Sequence, residues 1–251
     1  MKTINDFIVL AGNQLSGQYE ATEIQQIIYL MMEEVTGFSR TELQLHKQEQ
    51  LNENDVKTLL GFLEQLKQGR PLQYVLGFAW FKAIKLKVNE SVLIPRPETE
   101  ELADWVISDL RRRSASSSVL DIGTGSGCIP IGISSAVPPA QVHAIDISED
   151  ALSVARQNAE LSGTKIQFMK GDILSPAFRN GWEKKFDVIV SNPPYIRKSE
   201  MASMTGHVTN YEPHLALFVS DEDPLIFYKA IADFASDHLN TGGSLYVEIN
   251  E

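Results

Sequence analysis

Four strand-like runs in the second half of this chain each stop at a turn carrying polar side chains. Val119-Leu120-Asp121-Ile122 meets Gly123-Thr124-Gly125-Ser126-Gly127, and Val142-His143-Ala144-Ile145 meets Asp146. Ile166 to Gly171 meets Asp172, and Phe186-Asp187-Val188-Ile189-Val190-Ser191 meets Asn192-Pro193-Pro194-Tyr195. Between the second and third runs, Ser148 is placed to cap a helix with Ala151, Leu152, Ala155 and Leu161 inward and Gly163 at its end. Strands alternating with helices imply an α/β, Rossmann-like domain with a mainly parallel sheet, its apolar strands covered on both faces. In such a sheet ligands gather at the carboxyl ends of the strands, where these four turns fall.

Glycines at 123, 125 and 127 allow a tight turn and close approach of a ligand to bare backbone. Cys128 follows Gly127 where a dinucleotide fingerprint requires glycine, which disfavours a phosphate-cradling site. Asp146 comes nineteen residues after Gly127 and can accept from both hydroxyls of a ribose. Asp172 is placed to accept from an adenine amino group, with Ile173 against the base. Asp121, Asp146 or Asp172 alone would be an ordinary strand-end residue; together they describe a nucleoside site without a pyrophosphate grip. That fits S-adenosyl-L-methionine, with S-adenosyl-L-homocysteine as the product.

The two prolines after Asn192 end the ladder, because each lacks an N–H and forces the preceding residue toward extended geometry. The corner then offers the Asn192 side-chain oxygen and the Pro193 carbonyl as acceptors, with Pro194 and the Tyr195 ring beside them. Two fixed acceptors suit a planar, uncharged –NH2 group, either a carboxamide or an aminopurine. An amide nitrogen is a poor nucleophile, so orientation is the main lever, worth roughly 7 to 11 kcal/mol for well-positioned reactants. Loss of a methyl group from a sulfonium needs neither a metal nor a covalent nucleophile.

A net charge of −11 over 251 residues argues against direct nucleic-acid binding. With no bilayer-length apolar run, no presequence and a single cysteine, Cys128, which reads as a packed core thiol, the expected compartment is the cytoplasm. A monomer is expected.

Residues 1–69 read as a helical, partner-docking domain. Ile4, Phe7, Ile8, Ala11 and Leu15 share one face, and Ile24, Ile27, Ile28, Met31 and Val35 another. A short helix can start at Thr41. Asn54 can cap a further helix, with Val56, Leu59, Leu60, Leu63 and Leu66 inward and Gly69 at its end. Residues 70–94, through Tyr74-Val75-Leu76-Gly77 and the alternating Ile84, Leu86 and Val88, read as a β-hairpin linker. The domain from 95 to 251 begins with Pro97 in the first turn of a helix, whose stripe is Leu102, Trp105, Val106 and Leu110. Arg96 and Glu98, between the prolines, are candidates for a functional role. Residues 197–223 read as a long irregular lid. His46, His143, His207 and His214 are read as structural. Beyond the lid, Asp223 and Pro224 open a helix with Leu225, Phe227, Ala230, Ile231 and Phe234 inward, and Gly242-Gly243 turns it into the last strand.

With these residues in place, the chain resembles the HemK/PrmC family of release factor glutamine (N5) methyltransferases. The resemblance is carried by Gly69 to Tyr74, Ile94 to Glu101, Asp121 to Gly127, Gly171-Asp172, Asn192 to Tyr195, Tyr211-Glu212-Pro213 and Phe227-Tyr228. It implies a class I S-adenosylmethionine-dependent methyltransferase domain behind a helical domain that helps bind peptide chain release factors. It also implies methyl transfer to the side-chain N5 of the glutamine in the release factor's Gly-Gly-Gln loop. Gly123, Thr124, Gly125, Ser126, Gly127, Asp146, Asp172, Ile173 and Asn192 would hold the cofactor, and Asn192, Pro193, Pro194 and Tyr195 the glutamine. The segment Arg96 to Glu100 favours release factors over the related substrates in a large-subunit ribosomal protein. The alternatives are an adenine-N6 methyltransferase acting on nucleic acid and a non-catalytic protein that binds a translation factor. The class usually has seven strands; after Leu245 to Ile249 two strands and a helix would take roughly 25 more residues, so the C-terminal strands are expected to be missing. Asn250 stands where the family's glycine is expected.

Overall fold

The computed structural model describes residues 3–113, 116–203 and 206–249; Asn250 and the side chain of His207 lie outside them. The chain divides into two compact units, Met1–Gly77 and Phe78–Glu251.

In the first unit, helix α1 (Ile4–Leu15) begins with a reciprocal capping box between Thr3 and Asp6. α2 (Ala21–Thr36) ends on Gly37 at φ +73°, and α3 (Arg40–Leu45) begins with a second capping box, Ser39 with Glu42. α4 (Glu53–Lys67) is capped by Asn52 rather than Asn54: the Asn52 oxygen accepts from Asp55 N at 2.8 Å, while Asn54 falls inside the first turn. Leu59, Leu63 and Leu66 of α4 are buried with Phe7, Leu15 and Met31. Leu60, expected inward, is exposed because it lies about 100° round the helix from Leu59. The run Leu72–Leu76, read as the start of a hairpin, is instead a short helix, α5, closed by Gly77 at φ +78°. Pro71 before it has the fixed φ that suits a helix start, and Tyr74 and Val75 are buried.

The second unit opens with the antiparallel hairpin β1 (Phe78–Phe81) and β2 (Ile84–Lys87). Helix α6 (Pro97–Arg112) starts on Pro97 and buries Thr99, Leu102, Ala103, Val106, Ile107 and Leu110. Trp105, expected in that stripe, is 63% exposed. Then follow β3 (Ser118–Ile122), α7 (Cys128–Ala136), β4 (Gln141–Asp146), α8 (Glu149–Leu161), β5 (Ile166–Lys170), α9 (Pro176–Asn180) and β6 (Phe186–Ser191). The Ser148 cap of α8 forms as expected, whereas Leu161, in its last turn, is exposed.

Residues 196–203 and 206–219 form short elements rather than the irregular chain expected. Strand β7 (Ile196–Arg197) leads through a 3₁₀ turn (Lys198–Ser203) to α10 (Gly206–Tyr211), α11 (His214–Leu217) and β8 (Phe218–Val219). β7 and β8 pair in parallel. Helix α12 (Ile226–His238) passes directly into β9 (Leu239–Val247). Leu225, just before α12, is exposed. Gly242 and Gly243 therefore lie inside β9. They form an irregularity in its pairing with β6, where Phe186 faces Leu239 but Val188 faces Ser244. A Cβ on Gly243 would sit 2.9 Å from Asn240 O and 3.1 Å from Asp187 O.

The central sheet has the order β5-β4-β3-β6-β9, and every neighbouring pair is parallel. β3 sits in the middle, so its carboxyl end opens between those of β4 and β6. One apolar layer joins α6 and α7 to the sheet through Val106, Ile107, Ile131 and Val190; the other joins α12 through Ile189, Ile231 and Phe234. This is the α/β architecture expected from the alternation of runs.

Candidate active site

The glycine loop leaves β3 with Gly123, Gly125 and Gly127 at φ +76°, +54° and +81°. Its N–H groups are largely taken within the protein. Gly123 N and Thr124 N both donate to Ile145 O, at 2.9 and 3.0 Å, and Gly127 N donates to Thr124 O at 2.9 Å. Gly125 N donates to Asp146 Oδ2 at 2.8 Å, and Ser148 N to Asp146 Oδ1 at 2.9 Å. A loop whose N–H groups are so occupied is no phosphate nest, in keeping with the departure from the dinucleotide fingerprint at Cys128. Gly171 N donates to Asp146 O at 2.9 Å, and a Cβ there would collide with the Phe178 ring. Asp172 accepts from Leu174 N at 2.8 Å, which sets its carboxylate at the turn.

Gly123 to Ser126, Asp146, Asp172, Ile173 and Asn192 to Pro194 line a single cavity of about 230 Å³. Gly127 and Tyr195 stand outside that wall. Gly127 opens α7, where a Cβ would come within 3.1 Å of Ala155 Cβ, and Tyr195 faces a neighbouring pocket with Arg197 and Tyr228.

Beneath the loop, Asp121 is fully buried, and neither of its oxygens nor Thr124 Oγ1 has a hydrogen-bond partner among the described residues. Burial pushes the Asp121 carboxyl up to about 7; the Thr124 hydroxyl, near it but outside hydrogen-bond geometry, opposes the rise and Asp146 adds to it. Asp146 is also raised by burial, against the N–H groups of Ser148, Gly125 and Ile147. Burial pushes the Cys128 thiol up to about 12, so it is no thiolate nucleophile.

The corner after β6 is braced from two distant segments. Asn192 Nδ2 donates to Thr99 Oγ1 at 3.1 Å, and Thr99 Oγ1 donates to Glu248 Oε2 at 2.8 Å. Tyr195 Oη reaches Glu248 Oε1 at 3.5 Å, and Glu248 N donates to Ser191 O at 3.0 Å. Burial raises the Glu248 pKa, the Thr99 hydrogen bond opposing and Glu98 adding to the rise. Glu98 is exposed and acts here only as a nearby charge. Arg96 does line the cavity, and it pairs with buried Glu212, whose other oxygen accepts from Ile94 N at 3.2 Å. Thr99 and Glu212 lie in segments that carry the family resemblance but had no role assigned from sequence, and Glu248 was not singled out at all. The signal for Glu248 is a charged residue inside the otherwise apolar run Leu245 to Ile249. The described histidines stand apart. His46 pairs with Glu49, His143 packs against Phe186 beside Lys184, and His214 meets Thr209 O.

The cavity thus carries carboxylates at Asp146 and Asp172, an unpartnered one beneath the loop, and among its described lining residues a single cationic side chain, Arg96, already paired. Such a wall suits a ligand with a diol and a positive charge rather than phosphates.

Residues 8–77 match the family described as PrmC N-terminal domain, and residues 101–209 the Methyltransferase small domain. A release factor glutamine methyltransferase from Flavobacterium psychrophilum is 41% identical over 239 residues, spanning 94% of this chain and 83% of that protein. The protein so named from Bacteroides thetaiotaomicron is 39% identical over 99% of this chain and 87% of its own length. That from Lactococcus lactis is 42% identical over 80% of this chain and 72% of its own. With its paired domains and near full-length similarity, the chain belongs to the release factor glutamine methyltransferase family.

Proposed function

We propose that this protein transfers a methyl group from S-adenosylmethionine to the side-chain N5 of the glutamine in the Gly-Gly-Gln loop of peptide chain release factors. One observation carries the assignment to the corner. Asn192 Nδ2 is engaged by Thr99, which leaves Asn192 Oδ1 and the Pro193 carbonyl without a donor among the described residues. Two free acceptors beside an acidic cavity suit the two N–H donors of a carboxamide.

The residues present fit the cofactor. Asp146 keeps acceptor capacity for ribose hydroxyls after its two backbone bonds. Asp172 and Ile173 offer an acceptor and an apolar face for the adenine. When bound, the cofactor supplies an electrophilic methyl group on a sulfonium that departs as a neutral thioether. Asn192 Oδ1 and Pro193 O accept from the glutamine –NH2 and turn its lone pair toward the cofactor side of the cavity. Pro193 and Pro194 each fix their own φ and so stiffen the corner that holds the amide. The helical unit of residues 3–77 serves as the docking domain for the release factor.

Labelled S-adenosylmethionine incubated separately with a release factor, its loop Gln→Ala variant and DNA tests the reading. Label on the wild-type factor alone is expected; label on DNA, or equal label on the variant, overturns it.

A further inference from the structure

Resting on that reading, we infer that Thr99 and Glu248 are positioning residues that determine specificity, holding the Asn192 amide so that the corner accepts a carboxamide and rejects a carboxylate. An asparagine side chain can present either its oxygen or its –NH2 to a substrate by turning half a revolution, with little change of shape. Only one of the two orientations accepts from the glutamine –NH2, the group to be methylated. Presenting Oδ1 attracts an –NH2, whereas presenting Nδ2 attracts a carboxylate or a carbonyl.

The choice is made by the direction of two hydrogen bonds. An ionised carboxylate only accepts, so the single hydroxyl proton of Thr99 goes to Glu248 Oε2 at 2.8 Å. Thr99 then has only lone pairs left, and Asn192 must meet it with Nδ2, at 3.1 Å. Turning the amide over would set Oδ1 against an oxygen with no proton to give. Glu248 is itself fixed by its backbone, which donates to Ser191 O at 3.0 Å and accepts from Tyr228 Oη at 3.1 Å. Thr99 is held rigidly because it lies in the first turn of α6 and is buried. The polarity of the corner is thus set by a residue at each end of the methyltransferase unit, neither of which contributes an atom to the amide contact itself.

The test uses the enzyme with two intact release factors, one with the loop Gln and one with Gln→Glu at that position; S-adenosylmethionine serves for the rates and S-adenosylhomocysteine for the binding measurements. Thr99→Val keeps the side-chain shape but removes the relay. It is expected to lower kcat/KM on the glutamine substrate by about tenfold or more, and to reduce the preference for binding Gln over Glu by a similar factor. Affinity for S-adenosylhomocysteine should change less than about twofold. Thr99→Ser restores the relay and should recover both the rate and the preference. Should Thr99→Val not fold, Glu248→Gln, which can donate as well as accept, must relax the same preference. A folded Thr99→Val or Glu248→Gln enzyme that discriminates Gln from Glu like the wild type overturns the inference. A wild-type enzyme that neither binds nor labels the release factor overturns the functional reading beneath it.

Discussion

The Gly125 N–H donates to Asp146 Oδ2 at 2.8 Å, so the acid that ends β4 holds the loop that ends β3. Both would touch the same ligand, and removing the carboxylate loosens the loop as well as deleting an acceptor. Asp146→Ala should weaken S-adenosylhomocysteine binding by roughly 10- to 100-fold, the equivalent of one or two charge-assisted hydrogen bonds. Isothermal titration calorimetry measures this; an affinity within twofold of wild type would remove Asp146 from the cofactor site.

Glu212 spans Arg96 and Ile94 N, tying the residues before α6 to the segment that carries Pro213 and Ala216 into the cavity wall. Glu212→Ala leaves the Arg96 guanidinium and a buried N–H without their partner. Because Arg96 is about one third exposed, the cost should stay near roughly 1–3 kcal/mol rather than the larger figures for fully buried pairs. Equilibrium urea unfolding gives the loss, and limited proteolysis should show faster cleavage within residues 206–217. Glu212→Gln, which still accepts from Ile94 N, should recover part of it.

Asn158 reads both sides of the Lys87 peptide, accepting from Lys87 N at 2.7 Å and donating to Lys87 O at 2.9 Å, and also donates to Ser126 O at 2.9 Å. The amide thus fastens α8 to the hairpin and to the glycine loop at once. Asn158→Leu, similar in volume, would strand these backbone groups and should lower stability by about 2–4 kcal/mol. A shift in denaturation midpoint worth less than about 0.5 kcal/mol would contradict the role.

The Asp121 carboxyl is raised to about 7 from its ordinary 3.8. Between those values the folded chain binds a proton that the unfolded chain has released, so this group's contribution falls as pH rises from about 4 to 7 and stays unfavourable above 7. Asp121→Asn removes the ionisation. Without cofactor, the variant should therefore melt above the wild type at pH 8, with the gap closing toward pH 5. Parallel Tm-against-pH curves for the two proteins would refute the assignment.

Helix ends and strand runs were legible in the sequence because their causes are local. Ser148 before α8 and Pro97 at the start of α6 act on neighbours within a turn. The α/β class, and Asp146, Asp172 and Asn192 in the cavity wall, followed from polar residues at the ends of apolar runs. Where the local signal was misjudged, the reading erred: Asn54 reads as the cap that Asn52 makes two residues earlier, and Leu72–Leu76 has β-favouring residues but sits between Pro71 and a left-handed Gly77. The exposure of Trp105 and Leu60 shows the same limit, since periodicity places a residue near a face without saying how wide the covered stripe is.

By itself, then, the sequence determined which elements form and which strand ends carry chemistry, because both depend on interactions a few residues apart and on motifs read in order. Only the tertiary structure decided what braces the site. Glu248 and Thr99 lie 149 residues apart, and Asn192 and Thr99 93. Their hydrogen bonds exist only because α6 packs beside the sheet end where β6 and β9 run parallel. No local pattern encodes which buried hydroxyl will meet which carboxylate, and that meeting sets the direction in which Asn192 faces.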